Sequence, residues 1–294
     1  MTIRIGVSGW TYDDWRGAFY PLDLPRRRQL EYASRLFNSI ELNSSFYALQ
    51  RPDSYRAWYQ QSPAHFLFAV KGNRFITHNK KLTDPQTPLA NFFASGVLLL
   101  KEKLGPIVWQ LPAGLGFHAT RLATFLELLP RDTESAARLA SRHDGRMKGR
   151  SWTRTDRKRP LRYAIEVRHR SFLVPAFVRL VRARGVAIVF ADSGAWPYVE
   201  EISAGYVYLR LHGSPVTYAS AYDDSKLAWW AQRIRQWHAG QEPADAHRIT
   251  AWSAPRRKTR DVYVYFDNDQ QAHAPHDALR LAERLGVGPA AGAG

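Results

Sequence analysis

The 294-residue chain contains 42 lysines and arginines against 26 acidic residues, which gives a formal net charge of +16 at pH 7. With 45% hydrophobic and 13% aromatic residues it can fill a large core, which excludes a disordered or low-complexity protein. The absence of cysteine excludes disulfides, thiolate nucleophiles, iron–sulfur clusters and cysteine zinc sites. No apolar run reaches the roughly 18 residues of a membrane span, and the N-terminus lacks an apolar signal core. We therefore expect a soluble, cytoplasmic protein that does not bind membranes.

Short β-rich runs recur along the chain, and a helical pattern follows most of them. The predicted strands span residues 3–8, 39–44, 66–71, 106–111, 162–168, 186–192, 206–212 and 261–267. The clearest predicted helices span 27–37, 88–104, 172–184, 225–239 and 277–285, and glycine closes several of them, at 105, 185, 240 and 286. A doubly wound sheet is the alternative, but the first predicted turn lacks a glycine-rich phosphate motif.

Alternating units of this number and length predict an α/β protein with a (β/α)₈ TIM-barrel fold. We expect a single barrel domain over residues 1–288, with a basic insertion at about 131–161 and a flexible tail at 289–294.

Polar side chains end most of the predicted strands, where TIM barrels carry their chemistry. Side chains alternate between the two faces of a strand, so the pairs 41/43, 166/168 and 210/212 each share a face, with an apolar residue between them. We expect one polar cluster in the barrel mouth, formed by Glu41, Asn43, Lys71, Gln110, Glu166, Arg168, Asp192, Arg210, His212, Asp267 and Asn268. The alternative is a layer of side chains that form ion pairs only with one another and serve to close the barrel.

These residue types suit acid/base catalysis on a small anionic substrate. Glu41 and Glu166 are the predicted general acid/base pair, and His212 is the predicted proton carrier or orienting group. Lys71, Arg168 and Arg210 are expected to hold the anion. A Schiff base on Lys71 is an alternative role, since neighbouring cations would depress its pKa.

Aromatic residues of the loops are expected above the mouth, where their rings would stack on a sugar or a nucleobase. They are Trp10, Tyr12, Tyr218 and Tyr222.

A divalent metal is the alternative for the same cluster. Glu41, Glu166, Asp192 and His212 are acceptable ligands, and a metal there would indicate a phosphodiesterase or nuclease. Three cations in the same cluster would compete with the metal, so a metal site is not the favoured interpretation and no other cofactor is predicted.

Seven sequence blocks carry a family resemblance. They cover residues 5–21, 41–47, 68–71 with Thr77-His78, 110–112, 165–169, 210–213 and 265–269. In this order, from about residue 3 to residue 285, the chain resembles the domain-of-unknown-function-72 (YecE-like) family. The resemblance implies a TIM-barrel fold and no established reaction.

Most of the positive charge lies in two segments, 138–162 and 248–260. Both precede a predicted strand, so we expect them at the N-terminal pole of the barrel, away from the polar cluster. They would bind the phosphates of nucleic acid or form a solvated charged face. The leading hypothesis is an enzyme, a hydrolase or a lyase/isomerase, whose small substrate carries phosphate or carboxylate. The alternatives are the metal-dependent nuclease and a non-catalytic nucleic-acid-binding protein.

Overall fold

Within residues 2–289, which the computed structural model describes, eight parallel strands form a barrel surrounded by helices. The strands are β1 Ile3–Val7, β2 Ser39–Leu42, β3 Leu67–Lys71, β4 Leu104–Gln110, β5 Tyr163–Glu166, β6 Ala187–Asp192, β7 Tyr206–Leu211 and β8 Asp261–Phe266. The α-helices are α1 Gln29–Leu36, α2 Ser44–Tyr47, α3 Pro52–Gln61, α4 Gln86–Ala94, α5 Ala119–Leu128, α6 Thr133–Ala140, α7 Pro175–Arg184, α8 Asp224–His238 and α9 His273–Leu285. The predicted TIM-barrel fold is confirmed. Of the predicted tail, residues 290–294 lie outside the described part of the chain.

The barrel is nearly closed, with its strands in the order β1-β8-β7-β6-β5-β4-β3-β2. β1 meets β2 through a parallel bridge between Ser8 and Glu41, and the Gly9 N–H donates to the Glu41 carbonyl at 2.8 Å. A Cβ on Gly6 would lie 1.8 Å from the Ser39 carbonyl oxygen, so only glycine allows these two strands to approach so closely.

Large and small side chains alternate around the barrel interior. Tyr206 and Tyr208 on β7, and Tyr263 and Tyr265 on β8, belong to one buried cluster with alanines of β3, β5 and β6. These alanines are Ala69, Ala164, Ala187 and Ala191. The interior is therefore filled by side chains below the C-terminal mouth, as in other packed barrels.

The helix predicted over 88–104 is two elements. α4 ends at Ala94, and a 3₁₀ helix follows over Val97–Lys103. Gly96 separates them with φ +115°, and a Cβ there would lie 2.7 Å from Pro52 Cα. Gly105 lies inside β4 and does not close a helix, whereas Gly185 and Gly286 end α7 and α9 in the left-handed conformation, as predicted.

The parts of the two basic segments that lead into β5 and β8 lie at the N-terminal pole, whereas Arg146 of the first segment lies against the ring of Phe75, in the loop after β3. Arg159 and Arg162 line a pocket of about 320 Å³ together with Thr2, Leu104 and Asp261, which stand at or next to the starts of β1, β4 and β8. The Arg260 N–H donates to the carbonyl of His238, the last residue of α8. Of the described helices, none is long and apolar enough to span a bilayer.

Candidate functional site

Arg210 lies at the centre of the barrel mouth, near the C-terminal end of β7. Its buried guanidinium donates from Nη2 to Glu41 Oε1 and to Asp267 Oδ2, both at 2.8 Å, and from Nη1 to Glu166 Oε2 at 2.6 Å. These carboxylates come from β2, β5 and the end of β8, so one side chain joins distant parts of the barrel. Burial would raise the pKa of Asp267, but Arg210 holds that pKa well below its usual range.

The carboxylate of Glu41 is enclosed by donors. The Tyr208 hydroxyl donates to Oε2 at 2.6 Å and the Ser8 hydroxyl donates to Oε1 at 2.9 Å, in addition to Arg210. The Glu41 side chain has no exposed surface. Both oxygens of Glu41 therefore accept hydrogen bonds from within the protein, and Arg210 is its counter-ion.

Glu166 is also an ion-pair partner. Arg168 Nε donates to Glu166 Oε1 at 2.6 Å, while Arg210 Nη1 donates to Glu166 Oε2. Burial raises the pKa of Glu166, but Arg168 and then Arg210 outweigh it, so the pKa lies well below its usual range. Glu41 and Glu166, the predicted acid/base pair, therefore both form ion pairs with arginines.

Arg168 covers the mouth together with two aromatic rings. Its guanidinium lies 3.5 Å from the ring centroid of Trp196, and Nη2 donates to Gln110 Oε1 at 2.9 Å and to the Tyr218 hydroxyl at 3.4 Å. Trp196 and Tyr218 belong to the loops after β6 and β7. The predicted residues Gln110, Arg168 and Tyr218 therefore do meet at the mouth, and Trp196 joins them.

His212 is a buried neutral ring beside this cover. It packs edge-on against Trp196 and Tyr218, with ring centroids 5.1 and 5.6 Å away. Nδ1 lies 2.9 Å from Asp267 Oδ2, although the angle is not that of a hydrogen bond. Burial, and next Arg210, lower the pKa of His212, so the ring is uncharged at neutral pH.

Lys71 differs from the other cations of the mouth. It ends β3, is only 6% exposed, and within residues 2–289 its Nζ has no hydrogen bond and no carboxylate oxygen within 4.0 Å. Its nearest aromatic neighbour is Phe46, whose ring centroid lies 4.4 Å from Nζ. Burial, and next the charge of Arg210, lower the pKa of Lys71 to about 8. Near physiological pH a larger fraction of this amine is therefore neutral than of an exposed lysine.

Asp269 belongs to the site and was not among the predicted residues. Its Oδ1 is buried without a hydrogen-bond partner in the described part of the chain. Burial, and next the charge of Asp267, raise the pKa of Asp269 far above the usual value of a carboxyl, so it retains its proton at neutral pH. Asp269 precedes the 3₁₀ helix Gln270–Ala272 and has a helical backbone conformation, so the strand alternation that turns Tyr265 and Asp267 inward does not extend to it and the sequence carried no signal for this residue.

Three predicted residues do not line the mouth. Asp192 is in register with Leu211, a residue of the outer core. The Tyr222 N–H and Asn268 Nδ2 both donate to Asp277 Oδ2 of α9, at 3.0 and 2.9 Å. Asp192 and Asn268 each stand one position away from the inward-facing residue of their strand end, and the strand alternation turns them outward.

An aromatic cleft of about 540 Å³ lies beside the mouth. The predicted residues Trp10, Tyr12 and Asn43 line it, together with Trp58 of α3 and the side chain of Arg27. Trp10 packs edge-on against Trp58 at 5.7 Å between centroids, and Asn43 Oδ1 is buried with no hydrogen bond within the described residues. These walls suit a flat ring or a sugar face.

The donor set does not fit the alternative metal site. Arg210 occupies the position between Glu41 and Glu166, and Asp192 faces away from both. Across residues 2–289, no group of three or more histidine and acidic side chains is arranged to hold a metal ion. We therefore derive no step through a metal.

The fold and the polar cluster at the C-terminal strand ends define a TIM-barrel protein with charged and polar side chains in its mouth. Residues 4–292 match the model of the family "Protein of unknown function DUF72", and the chain belongs to this family. The resemblance found in the sequence is thereby confirmed.

Relatives and solved structures agree with this assignment. The chain is 23% identical over 301 residues to the UPF0759 protein YunF of Bacillus subtilis, covering 97% of this chain and 95% of YunF. It is 25% identical over 265 residues to the UPF0759 protein YecE of Escherichia coli, covering 82% and 84% of the two chains. A DUF72 family protein from Thermotoga maritima superposes with a TM-score of 0.72 at 22% identity, over 97% of this chain and 100% of that one. A second one, from Enterococcus faecalis, gives a TM-score of 0.68 at 15% identity, over 97% and 96%.

Proposed function

We propose that this protein is an enzyme that acts on a small phosphate- or carboxylate-bearing substrate by acid/base catalysis in the barrel mouth. The observation that supports the proposal is the state of Lys71, a buried amine with no carboxylate within 4.0 Å among the described residues. A buried charge without a counter-ion costs free energy, and such sites are common where catalytic groups are tuned. The neighbouring Arg168 and Arg210 are both paired.

Two groups of the mouth have pKa values suited to proton transfer. Lys71, with its pKa lowered to about 8, can accept a proton near neutral pH. Asp269, with its pKa raised by burial, can donate one. The acid/base role that the sequence suggested for Glu41 and Glu166 is therefore assigned in this proposal to Lys71 and Asp269. Proton transfer of this kind fits a lyase or isomerase better than a hydrolase.

Arg168 and Lys71 are the groups that would hold the anion. Arg168 uses Nε and Nη2 for Glu166, Gln110 and Tyr218, and its Nη1 makes no hydrogen bond within residues 2–289. Arg210 is fully buried and its nitrogens already face carboxylates, so it would act on the substrate only through its charge.

Deuterium exchange tests this proposal. We expect the protein in D₂O to incorporate deuterium next to the carbonyl or carboxylate of at least one compound in a panel of small organic phosphates and hydroxy or keto acids, as followed by NMR. Lys71→Met should slow this exchange about 100-fold or more, the usual effect of losing a general base. The exchange rate should rise with pH and level off above the lowered pKa of Lys71, about 8.

Arg256→Met, on an exposed segment at the opposite pole, is the matched control and should exchange like the unchanged protein. Equal exchange by the Lys71→Met variant, or none by the unchanged protein across the panel, would contradict the proposal.

Nucleic-acid binding at the N-terminal pole is a second candidate function. Exposed cations of the segments 138–162 and 248–260 have no carboxylate oxygen within 4.0 Å among residues 2–289. These are Arg138, Arg142, Lys148, Arg154, Arg157, Arg248, Arg256, Arg257 and Lys258. Exposed arginines and lysines without a carboxylate partner favour contact with a phosphate backbone.

Salt titration tests this second function. We expect a labelled DNA duplex to bind with an affinity that falls steeply with salt, measured by fluorescence anisotropy. Replacing Arg256, Arg257 and Lys258 with glutamine should reduce the slope of log K against log salt by about 2–3, because each lost phosphate contact removes about 0.9. Lys71→Met in the mouth should leave the slope unchanged. Binding that does not depend on salt would exclude this function.

A further inference from the structure

We infer that Lys71 forms a Schiff base with its substrate, so that the substrates are small aldehydes or ketones that carry an anionic group. The inference rests on the proposed function, because it names the chemistry of the same mouth. It rests on the surroundings of the Lys71 amine, which differ from those of the other buried lysine of the chain.

Lys103 shows what a structural buried lysine looks like in this protein. It is 4% exposed, and its Nζ donates to the Tyr59 carbonyl at 2.6 Å, the Ser62 carbonyl at 2.7 Å and the Ser62 hydroxyl at 3.0 Å. All three protons of an ammonium are thus used. Lys71 is almost as buried at 6%, yet its Nζ makes none of these bonds within the described residues.

The mouth makes the neutral amine, which is the nucleophilic form, easier to reach than it is for an exposed lysine. The aromatic ring of Phe46 lies beside Nζ, 4.4 Å away at its centroid, and attracts the ammonium only weakly because it accepts no ordinary hydrogen bond. Arg210 adds a positive charge nearby, and together with burial it disfavours the ammonium. Burial and a neighbouring cation are the two conditions that activate lysines for Schiff-base chemistry.

The surrounding carboxylates would stabilise the product of the reaction. Glu41, Glu166 and Asp267 all attract positive charge at Lys71, and they are fixed in place by Arg210. A protonated imine carries the positive charge that the free amine lacks. A rigid set of negative charges aimed at it favours its formation.

The cover over the mouth would protect the imine from water. Arg168 stacks on Trp196 at 3.5 Å, and Tyr218 lies within 3.4 Å of the same guanidinium. Exclusion of water by such a cover limits hydrolysis of a reactive intermediate. The Nη1 of Arg168, which makes no hydrogen bond among the described residues, would hold the anionic group of the same substrate.

The atoms of the step balance with groups present in the mouth. The neutral amine of Lys71 attacks the carbonyl carbon, which forms a C–N bond and opens the C=O π bond. One proton of the amine and the proton of Asp269 leave with the carbonyl oxygen as water. The products are a protonated imine, in which nitrogen keeps one proton, and the carboxylate of Asp269. No oxidant or reductant is needed.

Reductive trapping tests the inference. The full-length protein is incubated with glyoxylate, a small anionic aldehyde, or with dihydroxyacetone phosphate, an anionic ketone, and then treated with sodium borohydride. We expect mass spectrometry to find the secondary amine on the peptide that contains Lys71. Labelling there should exceed that of the exposed lysines by about tenfold or more at neutral pH, because more of the Lys71 amine is neutral.

Two variants serve as controls. Lys71→Arg keeps a cation and Lys71→Met keeps the volume, so at least one should fold, and neither can give the adduct. The peptide containing Lys103 should remain unlabelled in all samples. Labelling of Lys103 or of exposed lysines to the same extent as Lys71 would overturn the inference.

The outcome separates the inference from the proposal on which it rests. Deuterium exchange that depends on Lys71 without any trapped adduct would overturn the Schiff base and leave Lys71 as a general base. Loss of both exchange and adduct would overturn the inference and the proposed function together.

Discussion

Replacing Arg210 with methionine should lower the free energy of unfolding by about 3–5 kcal/mol at neutral pH, the range measured when one partner of a buried ion pair is removed. The reason is that Arg210 alone balances Glu41 and supplies one partner each for Glu166 and Asp267. Methionine fills a similar length but leaves buried carboxylates without their cation. Urea denaturation followed by circular dichroism measures the difference.

The difference in the free energy of unfolding between Arg210→Met and the unchanged protein should depend on pH. In the unchanged protein the lowered pKa values of Glu166 and Asp267 contribute stability that is present above about pH 4 and is lost as pH falls further. Without Arg210, one of the charges that lower both pKa values is gone and each pKa rises toward its unfolded value, so the stability difference between the two proteins should shrink as pH falls below about 4.

Arg162→Met is the matched control for this experiment. Arg162 pairs with Asp261 at 2.7 Å at the opposite pole, but its side chain is 39% exposed, so the loss should be about 1 kcal/mol or less. If Arg210→Met lowered the free energy of unfolding by no more than Arg162→Met does, or by an amount that does not change with pH, the Arg210 guanidinium would not be what stabilises the charges of Glu41, Glu166 and Asp267.

The architecture could be predicted from the sequence because each strand has its own local signal. The observed strands lie within two residues of the predicted bounds at every end, since apolar runs rich in β-branched and aromatic residues are bounded by turn residues or glycine. The break at Gly96 was missed because it depends on a contact with Pro52, which no local pattern reports.

The sequence could predict which residues meet in the barrel mouth, but not which of them form ion pairs with one another. Strand alternation brings Glu41, Lys71, Glu166, Arg210 and Asp267 to one mouth, and it also explains why Asp192 and Asn268, one position out of phase, turn away. Which carboxylates form ion pairs with Arg210 depends on distances between residues that are far apart in the chain. For the same reason the sequence could not show that Lys71 would be left without a counter-ion.

Lys71→Met should have the opposite effect to Arg210→Met and stabilise the protein. The pKa of Lys71 falls from 10.5 to about 8 on folding, so the native state binds this proton less well than the unfolded state. At about 1.4 kcal/mol for each pH unit, the penalty below pH 8 amounts to about 3 kcal/mol, which methionine removes. Parallel urea titrations of the variant and the unchanged protein measure it.

The pH dependence of this gain identifies its cause. Below about pH 8 Lys71 is protonated in both the folded and the unfolded protein, and the full free-energy penalty of burying the ammonium applies. Between about pH 8 and 10.5 the folded protein loses this proton while the unfolded protein keeps it. The stability of the unchanged protein therefore rises relative to that of the variant. The advantage of methionine should therefore shrink over this window and vanish above it. Lys103→Met, which removes a fully hydrogen-bonded amine, should destabilise the protein at every pH.

This result also decides between the two interpretations of the polar cluster. If the cluster were only an ion-pair layer that closes the barrel, each member would contribute stability, and replacing Lys71 would lower it. A gain of stability on losing Lys71, together with loss of deuterium exchange, is the pattern expected of a residue kept for function at a cost to folding. A stability loss in Lys71→Met would instead place Lys71 with Arg210 as part of the scaffold.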